Sequence, residues 1–170
     1  MTRENTEHVI RDHLMGMLFK RIGEPETMGG VGASARFSIK SDLGGGVCAA
    51  EGPLEYTLPD GTKCGHKNDI LVSSPGGKHI GIEIKFLSAV TDQFKTRSYD
   101  MLHLKMAHAE NLTGIMVYLH AGTGIGIKRA RSICYPYDLF FGLEFDSGAG
   151  LRAERWTEVV KAVEAAVAEW

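Results

Sequence analysis

The chain is poor in cysteine and proline, and it has no long hydrophobic run. Only three of its 170 residues are cysteine and five are proline. Three scattered cysteines do not make a disulfide framework, so we expect a reducing, cytoplasmic location. No window approaches the roughly 18 apolar residues that a membrane span needs, and residues 1–5 lack the apolar core of a secretory signal. We therefore expect no membrane partner.

An excess of charge of one sign is also missing. The chain has 19 Lys and Arg against 21 Asp and Glu, a formal net charge of −2. This balance argues against a protein that coats nucleic acid non-specifically, although a local patch can still bind it. Residues 120–131 form such a patch, because they contain Lys128, Arg129 and Arg131 and no acid. A length of 170 residues and 44% hydrophobic content predict a single domain over residues 1–170.

The periodicity of apolar residues predicts an α/β fold. Helices are expected at about 5–21, 91–111 and 154–170, and strands at 53–58, 69–73, 79–87 and 114–120. Residues 23–52 contain eight glycines and are expected to form a Gly-rich loop or insertion, with one short strand at 36–40. The order of helix, three strands, helix and strand predicts a mixed central sheet flanked by helices, followed by a C-terminal helix.

The predicted hairpin of strands 69–73 and 79–87 places two carboxylates opposite each other. Ser74-Pro75-Gly76-Gly77 supplies the turn, and residue 76 is the midpoint between positions 69 and 83. Symmetric closure therefore pairs Asp69 with Glu83. Alternation along the second strand puts Gly81, Glu83 and Lys85 on one face. The other face, which must pack on the core, carries Ile80, Ile82, Ile84 and Phe86.

Two facing carboxylates repel each other, and a hard divalent cation that binds both would offset the repulsion. Strand geometry puts Lys85 about 6–7 Å from Glu83 on the same face, where its ammonium can hold a water or a substrate oxygen. Mg²⁺, for which Mn²⁺ often substitutes, suits this donor set and phosphodiester chemistry. The alternative is a solvated sheet face on which Glu83 and Lys85 form an ordinary surface pair.

The motif also resembles a known family. Asn68-Asp69, thirteen intervening residues and Glu83-Ile84-Lys85 resemble the signature of the PD-(D/E)xK nuclease superfamily, with Asn68 where the signature names proline. The predicted order of elements over about residues 4–121 is similar to the superfamily's core. The resemblance implies a restriction-endonuclease-like fold and a nuclease in which Asp69 and Glu83 ligate the metal and Lys85 is catalytic.

The resemblance implies a further acid on the first helix. Glu7 is the candidate for completing the metal shell, since it extends the apolar stripe of Ile10, Leu14 and Met17. Glu4, one turn earlier, is the competing residue. The alternative for either acid is a solvated side chain at the start of a helix.

Polar residues early in the second helix are candidates for contacting substrate. Gln93, Lys95, Arg97 and Tyr99 are the residues in question, and a solvated helix face is the alternative for each of them.

The sequence therefore predicts a Mg²⁺-dependent, endonuclease-like phosphodiesterase that hydrolyses DNA, with a homodimer expected by analogy alone. One alternative is a non-catalytic module that keeps the fold and binds nucleic acid or protein. Another is a structural protein whose acidic hairpin is only a surface.

Two other motifs do not predict a site. Cys64-Gly65-His66 suggests zinc, but no second ligand pair lies at a suitable spacing. Gly122-Thr123-Gly124-Ile125-Gly126 follows a predicted strand, but Ile127 stands where the dinucleotide fingerprint needs glycine.

Overall fold

A computed structural model describes residues 3–86, 90–120, 125–144 and 153–170. For residues 3–6 and 153–155 it describes the backbone alone. In these residues the helices are α1 (Arg3–Ile22), α2 (Thr91–His108), α3 (Ile127–Ile133) and α4 (Ala153–Ala168). The strands are β1 (Arg36–Ser38), β2 (Val47–Ala50), β3 (Pro53–Thr57), β4 (Lys63–Lys67), β5 (Ile70–Ser73), β6 (His79–Phe86), β7 (Leu112–His120) and β8 (Leu139–Glu144).

The described strands form a mixed sheet in the order β1-β2-β5-β6-β7-β8. Strands β1, β2, β5 and β6 pair in antiparallel fashion, whereas β6, β7 and β8 are parallel. Parallel neighbours need a crossover, and α2 and α3 supply the two crossovers. Strands β3 and β4 form a separate antiparallel hairpin. The predicted fold class is confirmed: this is an α/β restriction-endonuclease-like core, with a C-terminal helix.

Helices cover both faces of the sheet. On one face, Ile80, Ile82 and Ile84 of β6 pack in a core with residues of α1 and α4, including Leu14 and Trp156. On the other face lie α2, α3 and the β3–β4 hairpin, which pack around residues such as Phe94, Met101 and Met116. Within the described ranges, no helix is long and apolar enough to cross a membrane.

The Gly-rich segment 23–52 contributes two strands to the sheet. Strand β1 lies within the short strand expected at 36–40, but β2 was not predicted. Gly44, Gly45 and Gly46, which precede β2, all have positive φ angles (91°, 71° and 119°). Residues other than glycine rarely adopt this backbone conformation. The glycines thus turn the chain into β2, where local hydrophobic periodicity gives little signal.

Two glycine substitutions are expected to change stability in opposite directions. Gly45→Ala should lower the free energy of unfolding by about 1–2 kcal/mol, because its φ of 71° is strained for alanine. Gly16→Ala, in the middle of α1, should raise it by about 0.5–1 kcal/mol, since an added Cβ there meets nothing within 4 Å. Urea unfolding of both variants measures the difference. Equal shifts of one sign would contradict the assigned backbone conformations.

Candidate active site

The antiparallel hairpin β5–β6 brings Asp69 and Glu83 together in the predicted register. Ile70 pairs with Ile82 and Val72 with Ile80, so the next position along the ladder sets Asp69 against Glu83. Asp69 Oδ2 accepts a hydrogen bond of 2.6 Å from the backbone N–H of Ile84. The register inferred from the turn is therefore confirmed.

The face that carries Glu83 and Lys85 is not solvated. Glu83 is completely buried and the side chain of Lys85 is nearly so, because α2 and the β3–β4 hairpin cover this side of the sheet. The alternative of an ordinary surface ion pair is therefore wrong. A buried carboxylate is costly unless charges or hydrogen bonds compensate it.

Three basic side chains surround the Glu83 carboxylate. His66 Nε2 lies 2.6 Å from Oε1, within hydrogen-bond distance. Arg97 Nε lies 3.4 Å and Lys85 Nζ 3.9 Å from Oε2. Lys85 Nζ donates its 2.9 Å hydrogen bond to the carbonyl oxygen of Ile84 instead. Glu83 Oε2 consequently accepts no hydrogen bond from the described residues, although it is buried.

A third carboxylate, that of Asp100, lies behind His66 and Arg97. Asp100 Oδ2 is 3.3 Å from His66 Nδ1 and 3.8 Å from Arg97 Nη1. The hydroxyl of the buried Tyr137 donates to the backbone oxygen of Arg97 at 3.2 Å. These contacts fix Arg97 and His66 against Glu83. The site thus contains three carboxylates, those of Asp69, Glu83 and Asp100, and three basic side chains, those of His66, Lys85 and Arg97.

The electrostatics of the site disfavour a charged Asp69. Burial, followed by the negative charge of Glu83, raises the pKa of Asp69 from 3.8 to about 6, although Lys85, the Ile84 N–H and Arg97 oppose the rise. Burial disfavours the charged form of Arg97, but Glu83, Asp69 and Asp100 outweigh this and raise its pKa above the usual value. Burial is therefore the main reason for the raised pKa of Asp69, and the neighbouring Glu83 carboxylate adds to it.

Tyr99, one of the four candidates for contacting substrate, is 61% exposed on α2. Of the other three candidates, Arg97 reaches the carboxylates. Lys95 points outward, where it is exposed and lies 3.8 Å from the exposed Asp92. Gln93 accepts a 3.3 Å hydrogen bond from the Val90 N–H through its Oε1 and so stabilises the start of α2. The structure thus places Arg97 in the site and the other two elsewhere on the helix.

Glu7 lies half-buried on α1, whose core residues pack on the opposite face of the sheet. No hydrogen bond or ion pair joins Glu7 to Asp69, Glu83 or Lys85 among the residues described, and its role in the metal shell stays a prediction. The side chain of Glu4 lies outside the described residues. Helix α1 instead approaches the site through Arg11, whose Nη1 is 2.8 Å from Glu51 Oε1.

Glu51 is an acid that the sequence reasoning missed. It follows β2, and its backbone N–H donates to the Asp69 carbonyl oxygen at 3.0 Å. Its φ of 50° is unusual for a residue other than glycine. Such strain persists where surrounding contacts hold it, and the ion pair with the buried Arg11 is one such contact.

His66 and Asp100 were also missed. A signal for His66 existed in the turn Pro59-Asp60-Gly61, because symmetric closure there pairs His66 with Leu54, as the structure does. Leu54 is buried, so its partner also belongs to the inner side. Asp100 carries no signal beyond lying one helical turn after Arg97.

The donor set partly fits a divalent cation. Asp69 and Glu83 offer adjacent carboxylate oxygens, and Glu83 Oε2 accepts no hydrogen bond in the described part of the chain. No group of three or more His, Cys, Asp or Glu is arranged to hold a metal ion in the part of the chain described. Mg²⁺ does not need such a set, because it commonly uses one or two protein carboxylates with waters and substrate phosphates. The residues present therefore fit Mg²⁺ better than a cation that needs a closed protein shell.

Comparison with known protein families and with curated proteins finds no match. Among solved structures, this chain is similar to EndoMS in its dsDNA2 complex, with 20% identity and a TM-score of 0.33 over 54% of this chain and 36% of that chain. It is also similar to EndoMS in apo form, with 14% identity and a TM-score of 0.35 over 80% and 47% of the two chains. The chain thus spans less than half the length of either EndoMS chain. At these TM-scores the likeness adds nothing to the fold, which rests on the sheet order and register above.

Proposed function

We propose that this chain is a Mg²⁺-dependent, endonuclease-like phosphodiesterase that hydrolyses DNA. The observation that carries the proposal is a buried, in-register pair of carboxylates, Asp69 and Glu83, with Lys85 beside it and with a Glu83 oxygen that accepts no hydrogen bond from the residues described. A buried carboxylate oxygen that accepts no hydrogen bond carries a desolvation cost of about 1–3 kcal/mol or more, which a bound cation would offset.

Asp69 and Glu83 would hold the metal, with Glu7 completing the shell directly or through water, and Mn²⁺ would substitute for Mg²⁺. When bound, the ion would neutralise negative charge on a phosphodiester and favour ionisation of a water. The rise in the pKa of Asp69 supports this assignment, because the excess negative charge that causes part of it is what a cation relieves.

The chain's own residues would supply orientation and charge. Lys85 would hold the attacking water next to the carboxylates, since its ammonium has three donors and uses one on Ile84 O. Arg97, which is fixed by Glu83 and Asp100, would contact the substrate phosphate. His66 would keep Glu83 in place through its hydrogen bond to Oε1. Removal of water by the cover of α2 strengthens each of these interactions.

The rival is a non-catalytic module that keeps the fold and binds nucleic acid or protein. One observation favours it: His66, Arg97 and Lys85 already surround Glu83, so the buried charge is compensated without metal. In that case the cluster would only hold α2 and β4 on the sheet.

Metal titration separates the two functions. Calorimetry and thermal unfolding with Mg²⁺ and Mn²⁺ should show binding to the wild type, with a stabilisation of about 1.4 kcal/mol at ten times the dissociation constant. Asp69→Ala should remove this stabilisation, while Asp92→Ala, at an exposed acid of α2, should retain it. If neither metal binds the wild type at millimolar concentration, the binding module is the correct function.

The substrate is tested by incubating plasmid, linear and branched DNA with the protein in Mg²⁺ and in Mn²⁺. Metal-dependent cleavage that EDTA abolishes supports the proposal, whereas intact DNA in every combination contradicts it.

Gel filtration at several protein concentrations tests the proposed homodimer. A cytoplasmic location is proposed on the three cysteines, all of them free thiols.

A further inference from the structure

A groove lies between α2 and α3, on the side of α2 that faces away from Glu83. It has a volume of about 340 Å³ and is lined by Lys95 and Tyr99 of α2, by Ser132 of α3 and by Tyr135, which follows that helix. We name it the tyrosine groove. Ser98 Oγ donates to Ile133 O at 3.0 Å and holds the two helices together at its floor. A volume above about 300 Å³ is in the range of ligand sites.

Two tyrosine rings are unusually exposed in this groove. Tyr99 is 61% and Tyr135 71% exposed, although aromatic side chains are normally buried or partnered. Tyr99 is also held in place, because its ring lies 4.1 Å from that of His103, which in turn lies 5.5 Å from that of Tyr56. A fixed and exposed aromatic ring offers a flat surface on which another ring can stack at little entropic cost.

The surroundings of the tyrosine groove are basic. Helix α3 carries three exposed cations and no acid; they are Lys128, Arg129 and Arg131. Lys95 adds a fourth cation on α2 and lies 3.8 Å from the exposed Asp92. The ligand that suits this combination is a polyanion that carries flat aromatic groups.

We propose that the tyrosine groove binds unpaired, single-stranded nucleic acid, with one base stacked on Tyr99 or Tyr135 and the neighbouring phosphates on the cations of α3. Duplex DNA keeps its bases stacked inside the helix, whereas a single strand exposes them to aromatic side chains. An acidic peptide would match the charge but would have no flat ring for the tyrosines. This inference rests on the proposed function, and it makes the substrate one with a single-stranded segment.

Helix α2 contributes to both the tyrosine groove and the cover of the active site. Arg97 faces Glu83, and the next residue, Ser98, faces α3. A nucleic-acid strand bound in the tyrosine groove therefore lies beside the part of α2 that covers the active site. In this arrangement the single-stranded segment would bind on one side of α2, and the adjoining phosphodiester would extend towards the active site on the other side of the helix.

Fluorescence anisotropy in EDTA tests the proposal without cleavage. A labelled oligonucleotide is titrated as a single strand and as a duplex of the same sequence, with wild type, Tyr99→Ala/Tyr135→Ala, Tyr99→Phe/Tyr135→Phe and Met106→Ala. Met106 is the matched control, because it is exposed on α2 outside the groove. The alanine pair should weaken single-strand binding by roughly 10- to 100-fold and duplex binding less than about twofold. The phenylalanine pair and Met106→Ala should bind like wild type.

Unchanged single-strand binding by the alanine pair would overturn the inference, as would an equal loss for single strand and duplex. Competition by polyglutamate as effective as that by the unlabelled single strand would also overturn it, because it would identify an acidic-protein surface. Failure of the proposed function is distinguishable from failure of the groove. If wild type cleaves no DNA in Mg²⁺ or Mn²⁺ but the alanine pair selectively loses single-strand binding, the groove proposal is supported and the phosphodiesterase proposal is contradicted. If wild type cleaves DNA but the groove shows no preference for single strands, the phosphodiesterase proposal is supported and the groove proposal is contradicted.

Discussion

Replacing Lys85 with alanine should lower the rate of metal-dependent DNA cleavage by at least about 10²–10³-fold, the loss typical of removing one charge-stabilising donor from an active site. Lys85 is the cation beside Glu83 with donors left for a water or a phosphate oxygen, since Nζ hydrogen-bonds only Ile84 O among the described residues. The fold should persist, because Arg97 and His66 still compensate Glu83. Single-turnover cleavage of labelled DNA in Mg²⁺ measures the effect.

The matched control for this experiment is Lys161→Ala, which removes an exposed lysine from α4 on the opposite side of the sheet. It should cleave at the wild-type rate, so a loss in Lys85→Ala alone cannot come from the change in net charge. Far-UV circular dichroism and the melting temperature check that both variants are folded. Cleavage by folded Lys85→Ala at the wild-type rate would show that this lysine has no catalytic role.

The pair of carboxylates could be predicted because a hairpin is a local structure. The turn at residues 74–77 lies within the same short segment as Asp69 and Glu83, and side-chain alternation allows only one register that buries the apolar residues. Helices α1, α2 and α4 were predicted for a similar reason, since their boundaries and apolar faces are local features of the sequence.

The remainder of the site depends on contacts between distant segments. His66 reaches Glu83 because the β3–β4 hairpin packs under α2, and nothing in residues 62–67 indicates where that hairpin packs. Strand β2 brings Glu51 beside Asp69 through a turn made by glycines rather than by an apolar pattern. The alternative of a solvated face stayed open in the sequence for the same reason: the sequence shows which residues share a face, but not what covers it.

In the absence of metal, wild-type stability should fall as pH rises between about 4 and 6, and Asp69→Asn should remove this fall. The pKa of Asp69 is about 6 in the folded chain against the ordinary value of 3.8. Between these values the folded chain retains a proton that the unfolded chain has lost, so rising pH favours unfolding. A pKa unit corresponds to about 1.4 kcal/mol, which makes the full effect roughly 3 kcal/mol above pH 6.

Urea unfolding in EDTA at pH 4, 5, 6 and 7 measures this effect as the difference between Asp69→Asn and wild type. The difference should be near zero at pH 4 and should reach about 2–3 kcal/mol in favour of the variant at pH 7. The asparagine carbonyl can still accept the hydrogen bond from Ile84, so packing is conserved. Asp60→Asn is a control for which the stability difference from wild type should have the opposite sign. The backbone hydrogen bond from Thr62 lowers the pKa of Asp60 and favours its charged form, so this variant should be less stable than wild type at pH 7.

Parallel pH profiles for wild type and Asp69→Asn would refute the raised pKa. If the profiles diverge as expected, saturating Mg²⁺ should remove most of the difference in unfolding free energy between variant and wild type at pH 7. A cation bound to the wild-type carboxylates offsets their repulsion and stabilises the wild type. The variant lacks one of these carboxylates, so it binds the cation more weakly and gains less. A variant that is more stable than wild type without metal, and inactive with it, would show that Asp69 is kept charged and buried at the expense of stability. Such a trade is expected where a side chain serves function rather than folding.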